Sequence, residues 1–109
     1  TTVEITPLRP PTDAPVQPGA RGLLFVAADH QHWHLSLEGL APAGSERRYQ
    51  LWFLADSGPV SAGTFTAAPG APVSLSSEHM PEGTRGVLVT LEPQQGSPLP
   101  NGPEILRAG

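Results

Sequence analysis

Cysteine and lysine are both absent from this 109-residue chain. Without cysteine there is no disulfide and no thiolate chemistry, and the redox compartment stays open. The six basic residues are all arginine and stand against ten acidic residues, which gives a net charge of −4 at pH 7. A phosphate backbone is bound by clustered cations, so a nucleic-acid partner is not expected.

Long apolar runs are also missing, since no stretch approaches the roughly 18 consecutive apolar residues of a membrane span. The chain shows no secretory signal peptide and starts at Thr1 rather than at methionine. We therefore expect it to be a piece of a longer protein, whose targeting or anchoring segments lie outside this sequence.

Proline and glycine are abundant, with 14 and 12 residues, and at this density they break long helices. Between them lie short apolar or alternating segments, a pattern typical of antiparallel strands. We predict an all-β fold, an antiparallel β-sandwich of immunoglobulin-like or related Greek-key type with about seven or eight short strands. The predicted strands are 3–8, 22–28, 32–38, 49–55, 60–66, 73–77, 85–92 and 104–107.

The length fits a single domain spanning residues 1–109, in which the Pro-rich stretch 7–20 forms a loop. Segment 49–55 is apolar on both faces, which predicts a central strand. Trp33 and Trp52 lie in strands with apolar neighbours, so we expect both to be buried rather than to stack on sugars.

Three short segments predict specific features of the backbone. Residues 56–59 (Asp-Ser-Gly-Pro) supply turn chemistry between two strands and predict a hairpin. Glu92 precedes Pro93, where a strand should end because proline cannot continue the ladder. Gly102 follows Asn101 and is expected to adopt a positive φ in a tight loop.

His30, His32 and His34 form the most pointed local cluster, with Asp29 directly before them. Residues i and i+2 of a strand lie about 6.6 Å apart on one side, so two imidazoles can reach one ion. Zinc and copper are the metals to consider at these three residues. The competing interpretation is the solvated face of an amphipathic strand, because no second ligand cluster is evident and His79 is the only other histidine. We expect no cofactor other than the zinc or copper ion that the first interpretation places at these histidines.

Catalysis has little support in the sequence. No serine lies in a G-x-S-x-G elbow, and the ten acidic residues are scattered rather than paired. We therefore expect a protein that is not an enzyme, with no catalytic residue.

Several ordered motifs from Tyr49 onward resemble the C-terminal domain of the anti-sigma-K factor family of bacterial membrane-anchored regulators. The similarity covers most of the chain from about Gly22, and more loosely the first strand. The motifs are a Tyr-Gln-Leu-Trp strand, a Gly-Pro-Val hairpin, a Gly-x-Phe strand, a Val-Thr-x-Glu-Pro segment and two Gly/Pro loops. They lie at residues 49–52, 58–60, 63–65, 89–93, 96–98 and 102–103.

The resemblance implies an extracytoplasmic regulatory domain, joined through one membrane helix to a cytoplasmic segment that holds an extracytoplasmic-function sigma factor. This chain would then contact the sigma factor only through that missing part of its parent. An extracytoplasmic protein partner or a regulatory protease is the expected direct partner. The family supplies no catalytic residues, and its pattern does not include the three histidines. The alternative is a secreted or periplasmic binding module that takes up metal through His30, His32 and His34.

Overall fold

The computed structural model describes residues 2–109, which form eight β-strands and no helix. The strands are β1 (Val3–Leu8), β2 (Arg21–Ala27), β3 (Trp33–Glu38), β4 (Arg47–Ala55), β5 (Gly58–Phe65), β6 (Val73–Ser77), β7 (Thr84–Pro93) and β8 (Glu104–Ala108). Within these residues there is accordingly no helix long and apolar enough to cross a bilayer. The predicted all-β class is confirmed, and the strand number is eight.

The strands form two antiparallel sheets of four. The first sheet has the order β1-β2-β3-β6 and the second has the order β5-β4-β7-β8. The chain crosses between sheets after β3, β5 and β6, so that β3 pairs with β6 and β4 pairs with β7. These two pairings correspond to the B–E and C–F pairings of immunoglobulin-type sandwiches. β1 is an additional edge strand that pairs with β2 on the side away from β3.

An apolar core lies between the sheets because alternate residues of each strand point inward. Leu24, Leu35 and Leu37 enter it from the first sheet, and Tyr49 and Phe53 enter it from the second. One aromatic pair links the layers: the rings of Trp33 and Phe53 meet edge to face with centroids 5.2 Å apart. The predicted core face of β3 is thereby confirmed.

The strand boundaries differ from the sequence-based ones by one or two residues. The predicted hairpin forms, but Ala55 pairs with Gly58, which leaves only Asp56 and Ser57 in the turn. Gly58 and Pro59 are therefore the first residues of β5 rather than part of the turn. Pro59 fits there because β5 is an edge strand, where a missing N–H can face away from the ladder. β7 continues through Pro93, one residue beyond the predicted end at Glu92, because Pro93 still pairs with Arg47 of β4.

The Pro-rich segment between β1 and β2 is attached to the second sheet through Tyr49. The Gln17 Nε2 donates to the Tyr49 hydroxyl at 2.8 Å, and the hydroxyl donates to the Ala41 carbonyl. The Gln17 Oε1 accepts from the Ala41 N–H at 2.9 Å, which completes a three-residue ring of hydrogen bonds. Burial raises the pKa of Tyr49, and the hydrogen bond from Gln17 only partly offsets this effect. One glutamine therefore fastens the segment to the core.

Candidate functional site

The outer face of the second sheet carries a buried polar network under the loop 94–103. This loop follows β7 and folds back over β4 and β7, so residues that would otherwise face solvent are covered. Gln50, Trp52, Thr90 and Glu92 point to this side, and each is at least 97% buried. Four polar or amphipathic side chains that are nearly inaccessible to water need internal hydrogen bonds.

Glu92 is the centre of the network. Its Oε2 accepts hydrogen bonds from the Thr90 hydroxyl at 2.6 Å and from the N–H groups of Asn101 and Gly102 at 3.1 and 3.0 Å. Its Oε1 accepts from the Ser97 hydroxyl at 2.8 Å. The fully buried carboxylate thus receives four donors, three of which come from the covering loop.

Gln50 and Trp52 extend the network along β4. The Gln50 Oε1 accepts from the Ser97 N–H at 3.0 Å, and its Nε2 donates to the Ser97 carbonyl at 3.1 Å. The same Nε2 donates to the Ser61 hydroxyl on β5 at 2.8 Å. The Trp52 indole donates to the Thr90 hydroxyl at 2.9 Å. Ser97 is consequently held at its backbone by Gln50 and at its side chain by Glu92.

The electrostatics of this network favour an ionised Glu92. Burial is the largest single influence and raises the pKa of the carboxyl, but the hydrogen bonds from Thr90, Gly102, Ser97 and Asn101 together lower the pKa below its ordinary 4.5. Each donor stabilises the charged form. Glu92 is therefore a structural anion, with both oxygens committed to holding the loop, rather than a free acid or base.

The network accounts for four of the six motifs that carried the family resemblance. Gln50 and Trp52 belong to the Tyr-Gln-Leu-Trp motif, Thr90 and Glu92 to the Val-Thr-x-Glu-Pro motif, and Ser97 to a Gly/Pro loop. Sequence reasoning assigned these residues to strands and turns and missed their mutual contacts. The available signal was Trp52, an apolar side chain on the outer face that needed a cover, next to a long loop.

Gly102 does not have the positive φ expected of it, and a glycine is needed at this position for a different reason. Its φ is not in the left-handed region, so the predicted positive φ is wrong. A Cβ at this position would instead lie 1.7 Å from the Leu91 carbonyl oxygen. Glycine is required because the loop backbone approaches β7 closely enough to donate to Glu92.

Both tryptophans are buried, as predicted, but in different environments. Trp33 lies in the core between the sheets and donates its indole N–H to the His79 carbonyl at 2.8 Å. Trp52 is fully buried on the opposite side of its sheet, where its indole N–H donates to the Thr90 hydroxyl. Neither ring offers an open face for a sugar.

The three histidines of the sequence-based metal hypothesis lie around the β2–β3 hairpin. His30 is in the turn with φ near +57° and borders a cavity with Val26 and Met80. His32 and His34 border a different cavity, on the outer face of the first sheet. The hairpin thus directs His30 to one surface and His32 and His34 to another.

Asp29 organises this turn. Its carboxylate accepts from the backbone N–H groups of Gln31 and His32 at 2.8 and 3.0 Å, and its Oδ2 lies 2.5 Å from the His32 Nδ1. These bonds, with the backbone bond from Gln31 first, lower the pKa of Asp29 to about 2. Among residues 2–109, no group of three histidine, cysteine or acidic side chains is arranged to hold a metal ion. Metal binding stays a prediction, which calorimetry with Zn²⁺ or Cu²⁺ against a triple His→Ala variant tests.

A cleft of about 270 Å³ opens between the edge strands β5 and β6. Trp33, Phe53 and Phe65 form its apolar floor, and Ser61 and Ser77 lie at its rim. The one titratable side chain along the described part of this cleft is His79. No carboxylate lies there to orient an imidazole, so the cleft lacks the nucleophile–base–acid arrangement of a hydrolase.

The model of a family described as "Anti-sigma-K factor rskA, C-terminal" matches residues 7–104, which is most of the chain. No curated protein and no solved structure matches.

Proposed function

The chain belongs to the anti-sigma-K factor C-terminal domain family and so has a regulatory, anti-sigma role, and from this premise we propose that it is the extracytoplasmic domain of a membrane-anchored regulator. In this proposal a separate cytoplasmic part of the regulator binds an extracytoplasmic-function sigma factor. The domain described here controls how long the regulator survives. It does so without catalysis.

The observation that carries the proposal is the network under the loop 94–103. Four of the six motifs of the family resemblance meet in one set of hydrogen bonds around Glu92, which closes the loop over β4 and β7. The side chains of Gln50, Thr90 and Glu92 are used to hold the loop to the sheet. A domain whose distinguishing residues secure its folded state is suited to a function that depends on that state.

The mechanism follows from how proteases act on folded proteins. Cleavage requires a locally open segment, so a closed domain protects itself and the chain next to it. A signal or partner that opens the domain would expose the regulator to a regulatory protease. Loss of the regulator would then free the sigma factor for transcription.

Location is tested by labelling a single introduced thiol in living cells. The chain has no cysteine, so Leu99→Cys in the complete regulator, cleared of any cysteine elsewhere, creates one reactive group at an exposed loop position. A membrane-impermeant maleimide should label it in intact cells as completely as in lysed cells. Ala67→Cys, on a half-buried side chain, serves as a control for accessibility.

The labelling has a clear opposing result. If Leu99→Cys reacts only after lysis, while a known external thiol reacts in intact cells, the domain is cytoplasmic and the proposed arrangement is wrong. A family role as an anti-sigma factor would survive that result, but protease gating from outside the membrane would not.

A further inference from the structure

The outer face of the first sheet is apolar where it should be polar. Antiparallel sheets in sandwiches usually present polar side chains to water on the outside. Here three successive cross-strand pairs of β1 and β2 are apolar on that face, namely Val3 with Ala27, Ile5 with Phe25 and Pro7 with Leu23. We call these six residues the β1–β2 face.

The β1–β2 face is substantially open to solvent. Val3 is 49% exposed, Ile5 is 59% exposed and Leu23 is 42% exposed. These are three of the five large hydrophobic side chains that are exposed among residues 2–109. Scattered exposed hydrophobics need no explanation, but a contiguous set on one flat surface marks an interaction site.

The rim of the β1–β2 face is charged at both ends. At one end Arg21 pairs with Glu38 at 2.8 Å and Arg9 borders the same cavity, so two arginines stand against one carboxylate and that end is positive. At the other end lie Asp29, His32 and Glu78, a set that is negative at neutral pH. With no lysine in the chain and a net charge of −4, this surface is poorly suited to an anionic membrane.

We infer that the β1–β2 face is the interface of a symmetric dimer formed with a second copy of this chain. A two-fold axis along the row Ile5–Phe25–His34 places each of these residues over its own counterpart in the second copy. The same rotation lays the positive end of one copy, which holds Arg9, Arg21 and Glu38, over the negative end of the other. The alternative rotation, about an axis parallel to the strands, would bring the two negative ends together.

The size of the face sets the strength of the dimer. Together with the outer surfaces of β3 and β6, the face spans four strands about 4.8 Å apart and about six residues long, which cover roughly 400 Å² in projection, or roughly 800 Å² for two copies. Stable specific complexes bury about 1,200 Å² or more, so this interface forms a weak, reversible dimer. The inference rests on the exposed residues of the first sheet and is independent of the proposed function.

Sedimentation equilibrium on the purified chain tests the inference. From about 10 μM to about 1 mM, the average mass should rise from the monomer value toward twice that value, as expected for a weak complex. Ile5→Asp and Leu23→Asp each place a charge in the apolar interface and should weaken association at least about tenfold. Leu99→Asp is the matched control, because Leu99 is 57% exposed but lies off this face, and it should associate like the wild type.

Thiol cross-linking tests the orientation separately. Ile5→Cys introduces the only cysteine next to the two-fold axis and should oxidise rapidly to a disulfide-linked dimer, whereas Leu99→Cys should not. A wild type that stays monomeric at about 1 mM, or face variants that associate as tightly as the wild type, would overturn the inference. Binding of the monomer to neutral or anionic vesicles, abolished by Ile5→Asp, would assign the face to lipid instead and would also overturn it.

Discussion

At the scale of single residues, Glu92 determines how the loop 94–103 is held. A carboxylate that receives four donors leaves each of them unpaired when it is replaced, and an unpaired buried donor costs about 1–3 kcal/mol. Glutamine keeps the shape but turns one acceptor oxygen into an NH₂ group that faces N–H and O–H donors. The contribution of Glu92 is therefore specific to its charge.

We expect Glu92→Gln to lower the free energy of unfolding by about 1–3 kcal/mol in chemical denaturation at pH 7. Glu82→Gln is the control, since Glu82 is exposed in a loop, and it should change stability by less than about 0.5 kcal/mol. Equal stability of the two variants would show that the four hydrogen bonds around Glu92 contribute nothing.

The same residue predicts how stability depends on pH. The pKa of Glu92 is lower in the folded protein than its ordinary 4.5, so the unfolded chain takes up the proton first as the pH falls. The contribution of Glu92 is fully present above pH 4.5 and is lost as the pH falls through the lower, folded-state value. The stability difference between wild type and Glu92→Gln should accordingly narrow below pH 4.5, and a difference that stays constant would contradict the assignment.

Gly102 gives a second prediction at this scale. Because a Cβ would lie 1.7 Å from a backbone oxygen of β7, Gly102→Ala must displace the loop and should cost about 1–3 kcal/mol in thermal or chemical unfolding. Gly19→Ala is the matched control, as a Cβ there meets no atom within 4 Å and the φ is not positive. If the two variants are equally stable, the close approach of the loop to Leu91 is wrong.

At the scale of elements, the segment between β1 and β2 depends on Tyr49. The hydroxyl accepts from Gln17 and donates to Ala41, so Tyr49→Phe leaves both without that partner. We expect hydrogen exchange in residues 10–20 to become faster, and overall stability to fall by about 1–2 kcal/mol. Hydrogen exchange in β7 should become faster only by the amount that the lower overall stability accounts for. An unaltered exchange rate in residues 10–20 would show that the Tyr49 hydroxyl is not needed to hold this segment.

Much of the element structure was predictable from the sequence because strands leave a period-two pattern. The alternation around Trp33, Leu35 and Leu37 correctly identified the core face of β3. The two-sided apolar segment at 49–55 correctly identified a central strand. Turn limits were less certain, since Gly58 and Pro59 have turn propensity and yet pair in β5, where an edge strand tolerates proline.

At the scale of the whole molecule, the long-range contacts were not predictable. Nothing local in Gln50, Glu92 or Ser97 indicates that they meet, because their contact depends on β4 pairing with β7 and on the path of the following loop. The histidines are close in sequence but do not share one cavity. Their spacing suggested a single site, whereas His30 borders one cavity and His32 and His34 border another. Sequence patterns report which face a residue lies on, but not what covers that face.

The central claim is that the folded state of this domain preserves an anti-sigma regulator, and graded destabilisation tests it most directly. Transcription from a sigma-dependent reporter is measured in cells that carry the complete regulator with Tyr49→Phe, Gly102→Ala, Glu92→Gln or the control Glu82→Gln. Reporter output should rise, and the amount of intact regulator should fall, in the order of each variant's measured loss of stability, with Glu82→Gln at the wild-type level. Output that stays at the wild-type level in every variant, despite a measured loss of stability, would contradict it.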